Sequence, residues 1–425
     1  LYIEQTKTSS VQEDTMPEAT SLDVLVAGGG YVGLSLAVAV KKAAPHLAVE
    51  VVDGAPEHAW QKEERASAIV AAARNLLDVL GVWSEIAVEA EPIRRMVITD
   101  SRTADPVRPV FLTFDDAGSD EDGQPFAHMI PNRAMIGSLL RQADALGIAV
   151  RWSTSATDFK TGQHSTQVSL SDGSEVGTRL LIACDGARSK RRDMAGIKTV
   201  RFDYGQSGIV TTVEHERPHD GTAEEHFLPA GPFATLPLTG NRSSLVWSER
   251  TEDAKRLVEG DDLVFEEELE RRFGHKLGSL KVVGGRRAFP LGLTLARAFV
   301  APRFALAGDA AHGIHPISGQ GLNLGFKDVA ALAEVIVEAD RLGQDIGALD
   351  VLERYQQWRR FDTVQMGVTT DVLNRLFSND IGPLRAARDI GLGLVERMPR
   401  LKEFFIRQAS GLSGDTPRLL KGEAI

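Results

Sequence analysis

A chain of 425 residues, 43% hydrophobic and 25% charged, is long enough for two domains or one large domain with insertions. Its formal net charge of -11 excludes a general nucleic-acid binder, which needs clustered Lys and Arg against phosphate. The single cysteine, Cys184, excludes an internal disulfide and a Cys-based zinc site and fits a reducing compartment, and no apolar run approaches the roughly 18 residues that span a bilayer.

Residues 1–20 are polar and turn-rich, without a signal-peptide pattern; they are expected to form a disordered tail, with Met16 a candidate natural start. The first folded element is an apolar strand over residues 22–27, followed by Gly28-Gly29-Gly30-Tyr31-Val32-Gly33 and an apolar helix over 34–42. A second strand, 49–52, ends at Asp53. This is G-x-G-x-x-G in a strand–turn–helix setting with an acid about 20 residues beyond it. The glycines permit the tight turn and close approach to a pyrophosphate, and Asp53 would accept hydrogen bonds from adenosine ribose hydroxyls. The fingerprint alone does not separate FAD from NAD.

Residues 65–80 read as a helix that opens on Arg65, from where a phosphate is within reach, and buries Leu76, Leu77 and Leu80. Short β-like runs follow at 96–99 and 109–114, then an acidic loop (Asp115 to Asp122) that reads as solvated surface. Pro131-Asn132-Arg133 opens another helix, to about residue 146. An apolar strand over 180–183 then stops at Cys184-Asp185-Gly186, where Cys184 reads as a small buried apolar residue. Residues 201–290 are β-rich with one helix over 261–273. Phe227, Phe233, Leu236, Leu238 and Trp247 there divide between core and a ring-binding pocket.

A third apolar strand, 304–307, stops at Gly308-Asp309, and a Gly-rich turn then feeds an amphipathic helix to about residue 340. Small residues and the free N–H groups of a helix start make an anion cradle. Asp309 can accept hydrogen bonds from sugar-like hydroxyls, with the reactive ring of a nucleotide cofactor against residues 316–323. His312 and His315 read as structural loop residues; their H-x-x-H spacing lacks a third ligand, so no metal is expected. Beyond Arg375, Leu394, Met398, Leu401 and Phe405 recur at near-helical spacing, and residues 375–425 hold nine Lys or Arg against six Asp or Glu. That stretch suits packing on the nucleotide-binding domain or a partner subunit, or contact with an anionic membrane surface.

Three stations together carry a resemblance: Gly28-x-Gly30-x-x-Gly33, Cys184-Asp185-Gly186 and Gly308-Asp309-Ala310-Ala311-His312. They resemble the FAD motifs of the group A flavoprotein aromatic hydroxylases. The stretch from His315-Pro316 through Gly319-Gln320-Gly321-Leu322-Asn323 to Gly325, with Asp328 after it, is similar to the signature of the ubiquinone-biosynthesis hydroxylases (the UbiH, UbiF and VisC group). Gly231 to Leu238, Leu245-Val246-Trp247 and Phe289-Pro290-Leu291 fit the same family.

The resemblance implies an α/β (α+β) fold like that of p-hydroxybenzoate hydroxylase: a Rossmann-type FAD/NAD(P)-binding domain, an inserted β-sheet substrate domain and C-terminal helices. The expected division is 21–95, 125–200 and 289–360 for FAD, 96–124 and 201–288 for substrate, and 361–425 for the helical region. It implies that Gly28, Gly30 and Gly33 meet the pyrophosphate and Asp53 the ribose, where Asp replaces the commoner Glu. Arg65 and Arg133 match cofactor-contacting positions; Asp185 matches a motif linked to FAD and NAD(P)H; Gly308 and Asp309 hold the ribityl chain. Backbone amides of Leu322 and Asn323 would meet the flavin pyrimidine edge, and the flavin-facing loop comprises His315, Pro316, Gly319 and Gly321, with the catalytic base unidentified.

The implied reaction uses O2 and flavin reduced by NAD(P)H, forms a C4a-hydroperoxide and hydroxylates the ring of a polyprenylated phenol in ubiquinone biosynthesis. A hydroxylase of small soluble aromatics, or a non-catalytic FAD-containing subunit of a quinone-biosynthesis complex, remains open at this point. The same implication covers contacts with other ubiquinone-biosynthesis proteins, a homodimer, and a cytoplasmic location with peripheral contact at the inner membrane surface.

Overall fold

The computed structural model describes residues 21–101, 108–115, 125, 127–315, 320–377 and 415–425. An eight-stranded sheet is organised around five parallel strands, ordered Phe304–Leu306, Glu175–Ala183, Ser21–Ala27, Val49–Val52 and Ala149–Arg151. We label the strands that position the site β1 (Ser21–Ala27), β2 (Val49–Val52), β3 (Ala66–Val70), β4 (Glu175–Ala183), β5 (Thr199–His215), β6 (Arg287–Ala296) and β7 (Phe304–Leu306). Their helices are α1 (Tyr31–Ala43), α2 (Ala71–Leu80), α3 (Gln320–Arg341) and α4 (Leu349–Phe377).

β1 and β7 are near-continuous apolar runs, as strands covered on both faces must be. In α1, every residue from Gly33 to Val40 is buried, and α3 packs beside it. The large core formed this way joins both faces of the parallel sheet. Residues 415–425 dock on it: Leu419 and Leu420 are buried, the Arg418 amide donates to Glu334 at 2.8 Å, and Trp358 donates to the Asp415 carbonyl at 2.7 Å.

A second sheet of nine strands contains β5, β6 and the hairpins between residues 222 and 250. Its own core joins Ile209, Phe233, Leu245 and Trp247 to Phe265, Leu269 and Phe273 of the helix Asp262–Phe273. Asp261 caps that helix, accepting from the Leu263 amide at 2.8 Å. Phe233 and Trp247, candidates for pocket lining, are therefore core. β5 starts at Thr199 and pairs with β6, which runs to Ala296, so this sheet includes residues 199–200 and 289–296 that the sequence division gives to the FAD domain.

Two local expectations need correction. Residues 65–80 do not form one helix: Ala66–Val70 is strand β3, and only Ala71–Leu80 is helical. β3 pairs antiparallel with Ala127–Pro131, and the Asn323 side chain grips its end, accepting from the Val70 amide at 3.1 Å and donating to the Ala68 carbonyl at 2.9 Å. Those distant partners override the helical pattern around them. A helix at Thr251–Glu259, burying Ala254 and Leu257, was also unsignalled; a stretch with only two inward apolar residues carries little periodicity.

Candidate active site

Register brings the motif stations together. Ala27 lies opposite both Val52 and Ala183, and Ala183 opposite Leu306, so the carboxyl ends of β1, β2, β4 and β7 are level. Gly28, Asp53, Cys184-Asp185 and Gly308-Asp309 all emerge at this one edge, where open α/β sheets bind ligands. Backbone bonds continue across it: Gly28 N–H to Val52 at 2.8 Å, Cys184 N–H to Ala27 at 2.8 Å, and Ala307 N–H to Ala183 at 3.0 Å.

The glycines are demanded by contact. A Cβ on Gly28, at φ +124°, would lie 2.4 Å from the Cys184 carbonyl oxygen, and one on Gly33 would lie 1.9 Å from the Gly28 oxygen. Gly30 and Gly321 face open space instead, with nothing within 4 Å of such a Cβ. These two glycines stand at the starts of α1 and α3, whose leading amides have no acceptor within their own helices. Gly308 (φ +63°) and Gly325 both close on Val32, which brings the two helix starts against the turn at Asp309. A Gly-lined crevice between two helix N-termini fits a dinucleotide.

Asp53 accepts the Gly29 amide at 2.5 Å through one oxygen and the Ala55 amide at 2.7 Å through the other. Both bonds fix its rotamer and leave lone pairs for sugar hydroxyls. The Asp309 side chain is exposed, but protein surrounds it closely enough that burial raises its pKa against the lowering influence of His312 and Arg65. Tyr31 stands in the same crevice; burial and then Asp309 push its phenol up to about 12, so it stays neutral.

The arginines are engaged with acids. Arg65 forks onto Glu63 (Nε at 2.8 Å and Nη2 at 2.7 Å), and its guanidinium stacks 5.3 Å over the Phe289 ring centre. Arg133 donates to Glu89 at 2.8 Å, both side chains about half exposed at 48% and 46%. Asp185 is held by Arg191 at 3.2 Å through one oxygen, while its other oxygen is buried without a partner. Burial raises the Cys184 thiol, keeping it protonated and inert.

From Asp309 the chain crosses to the second sheet, where His312–Gly313 pairs with Leu295 and Thr294 of β6. His315 is fully buried with neither ring nitrogen bonded, its ring centre 5.3 Å from that of Tyr204 of β5 in an edge-to-face arrangement, and burial pushes its pKa down to about 4. Tyr204 donates to Asp371 of α4 at 3.0 Å. Pro316 and Gly319 lie outside the described residues, as do Leu394, Met398, Leu401 and Phe405. The Asn323 side chain is committed to β3, which leaves its main chain for any cofactor role. Among the described residues no three His, Cys, Asp or Glu side chains gather as metal ligands, and no helix is long and apolar enough to cross a membrane.

Sequence reasoning assigned no role to Asp328. It is wholly buried on α3, accepting from the Gly308 amide at 2.9 Å, from His312 Nε2 at 2.5 Å and from Arg359 Nε at 2.9 Å. An acid in the third position after Gly325 was visible in sequence, but Arg359, its counter-charge, is 31 residues away.

Residues 21–363 match the family model described as FAD binding domain. The ubiquinone hydroxylase UbiL of Rhodospirillum rubrum is 44% identical across 94% of this chain and 92% of its own length. The 3-demethoxyubiquinol 3-hydroxylase of Escherichia coli is 34% identical across 92% of this chain and 98% of its own. Among solved structures, p-nitrophenol 4-monooxygenase of Pseudomonas putida superposes with a TM-score of 0.77 over 93% of this chain and 99% of that one, at 19% identity. At that identity the likeness establishes the shared fold.

Proposed function

As this chain belongs to the FAD-binding-domain family, and within it to the ubiquinone-biosynthesis hydroxylases, an FAD-dependent aromatic monooxygenase, we propose that its substrate is a polyprenylated phenol and its electron donor NAD(P)H. The observation that carries this reading is the 44% identity to a ubiquinone hydroxylase across nearly the whole of both chains. It covers the substrate sheet as well as the nucleotide-binding stations.

FAD, when bound, supplies the activation of O2 for ring hydroxylation. The chain's residues bind, orient and exclude water. Gly30 and the start of α1 would receive the pyrophosphate, with Gly28 and Gly33 keeping the turn tight enough for its amides to point outward. Asp53, its rotamer already fixed by two amides, would accept from the ribose, and Asp309 from the ribityl hydroxyls. Leading amides of α3 at Gly321, Leu322 and Asn323 would favour negative charge on the flavin's pyrimidine edge. Arg65, near Asp309 but neutralised by Glu63, would position more than attract. Tyr204 and His315 would form the dry wall where the flavin turn meets the substrate sheet.

The test supplies purified protein with FAD, reduced nicotinamide, a short-chain prenylated phenol and isotope-labelled O2, with mass spectrometry of the product. One labelled oxygen on the ring is expected. Bound FAD with no oxygen transferred to any prenylated phenol would overturn the reading in favour of a non-catalytic flavoprotein subunit. Lipid profiles of a deletion strain, complemented with the parent gene, would identify the ring position.

A further inference from the structure

We infer that Asp328 is the positioning residue of the Gly308-Asp309 turn, and that α4, through Arg359, ties this turn to the substrate sheet. The inference rests on the FAD reading above and adds to it what sets the turn's geometry.

Asp328 meets three donors with two oxygens. Oδ2 takes the Gly308 amide and His312 Nε2; Oδ1 takes Arg359 Nε. Burial opposes its ionisation, but His312 and Arg359 outweigh that, so the carboxyl stays below its usual range and accepts only. Its partner at His312 must then be an Nε2–H, which fixes the ring's orientation. Both ends of the turn, at Gly308 and His312, are thus clamped to one carboxylate, and Asp309 projects from between them. Gly308 reaches its φ of +63° without steric cost but is free to adopt many other conformations, and the clamp selects this one.

Arg359 brings the second half of the device. It is buried, with its Nη1 on Asp362 at 2.9 Å, and Tyr355 one turn earlier donates to the Leu306 carbonyl at 2.8 Å, at the end of β7. Twelve residues further along α4, about 18 Å at 1.5 Å per residue, Asp371 accepts from Tyr204, and Asn374 donates to Gln206 at 3.0 Å. The register of β5 with β6 shifts between Asp203 and Gln206, so Tyr204 lies within this irregularity and Gln206 closes it. One rigid helix therefore holds the flavin turn at one end and the substrate strand at the other.

Asp328→Asn separates positioning from bulk. Asn has one acceptor oxygen, so either Arg359 or the Gly308–His312 pair meets an N–H instead. Apoprotein of the full chain would be titrated with FAD, following flavin fluorescence and the circular dichroism of the bound flavin. The expected result is affinity at least about tenfold weaker, about 1.4 kcal/mol, with a changed flavin dichroism band. Parent-like affinity and band in a folded variant would overturn the inference and leave the FAD reading standing. A parent that takes up no FAD would remove both. Should Asp328→Asn not fold, Arg359→Lys decides: it keeps the charge but loses the Nε bond. There an altered flavin band and an affinity at least about threefold weaker, about 0.7 kcal/mol, are expected, and parent-like values overturn.

Discussion

The carboxyl edge of the parallel sheet and the seam between the Gly308–His312 turn and the nine-stranded sheet are built from different materials. The edge is made of backbone: glycines at 28, 33 and 308, strand ends in level register, and two helix starts. The seam is made of side chains that are remote in sequence, such as Tyr204 with Asp371, Asn374 with Gln206, and Asp328 with Arg359. Backbone cradles tolerate no added atom, whereas side-chain seams tolerate substitution at a graded cost. Four predictions test that contrast, from the largest effect down.

Gly28→Val would strike the edge. The new side chain meets the Cys184 carbonyl at 2.4 Å, at a φ of +124° that β-branched residues do not adopt. Overpacking and backbone strain each cost about 1–3 kcal/mol, so the variant should lose both its cooperative melt and its FAD content. A variant that melts like the parent and binds FAD would break the claim that the edge is backbone-limited. Next comes Asp309→Ala. Its exposed side chain supports no element, and losing hydrogen bonds to a charged group costs about 1.5–3 kcal/mol. FAD affinity should fall about 10- to 100-fold while the apoprotein melts unchanged, and a fall in apoprotein stability would show the turn itself had been damaged.

This contrast also marks what sequence could and could not disclose. Gly28-x-Gly30-x-x-Gly33, Asp53, Asp185 and Gly308-Asp309 were legible because each station is a local pattern: apolar strand, abrupt glycine, acid. Their meeting at one edge follows from parallel-sheet logic. β3 was misread as helix because its partner strand lies some 60 residues on and its cap, Asn323, some 250. The Asp328–Arg359 pair was illegible for the same reason: nothing near Arg359 in sequence marks it as buried.

The seam's own prediction is a pH dependence. His315 titrates about 4 in the folded protein because burial disfavours its charge, against about 6.5 when unfolded. Between those values the unfolded chain takes up a proton that the folded chain refuses, so stability is full above about 6.5 and declines as pH falls. From pH 7.5 to 5 this one group should withdraw about 2 kcal/mol. His128, also lowered to about 4 by burial and the nearby Arg74 and Arg94, adds a similar decline that is common to parent and variant. Denaturant midpoints of the parent and His315→Leu at both pH values isolate the His315 share, and equal losses in the two proteins would refute it.

The smallest effect is the one that best separates cofactor contact from surface pairing. Arg133 stands at a position that the family resemblance links to the cofactor, yet its guanidinium donates to Glu89, and both side chains are about half solvent-exposed. An exposed ion pair contributes about 0–1 kcal/mol because water already solvates both partners well. Arg133→Ala should therefore shift the unfolding free energy by no more than about 0.5 kcal/mol and FAD affinity by less than about threefold. Stability measured alone would be uninformative, since a cofactor ligand at the surface could be removed as harmlessly from the apoprotein. The paired measurement decides. An unchanged melt with FAD affinity down tenfold would mean that Arg133 leaves Glu89 for the cofactor, and the edge would then owe part of its affinity to a mobile side chain as well as to backbone.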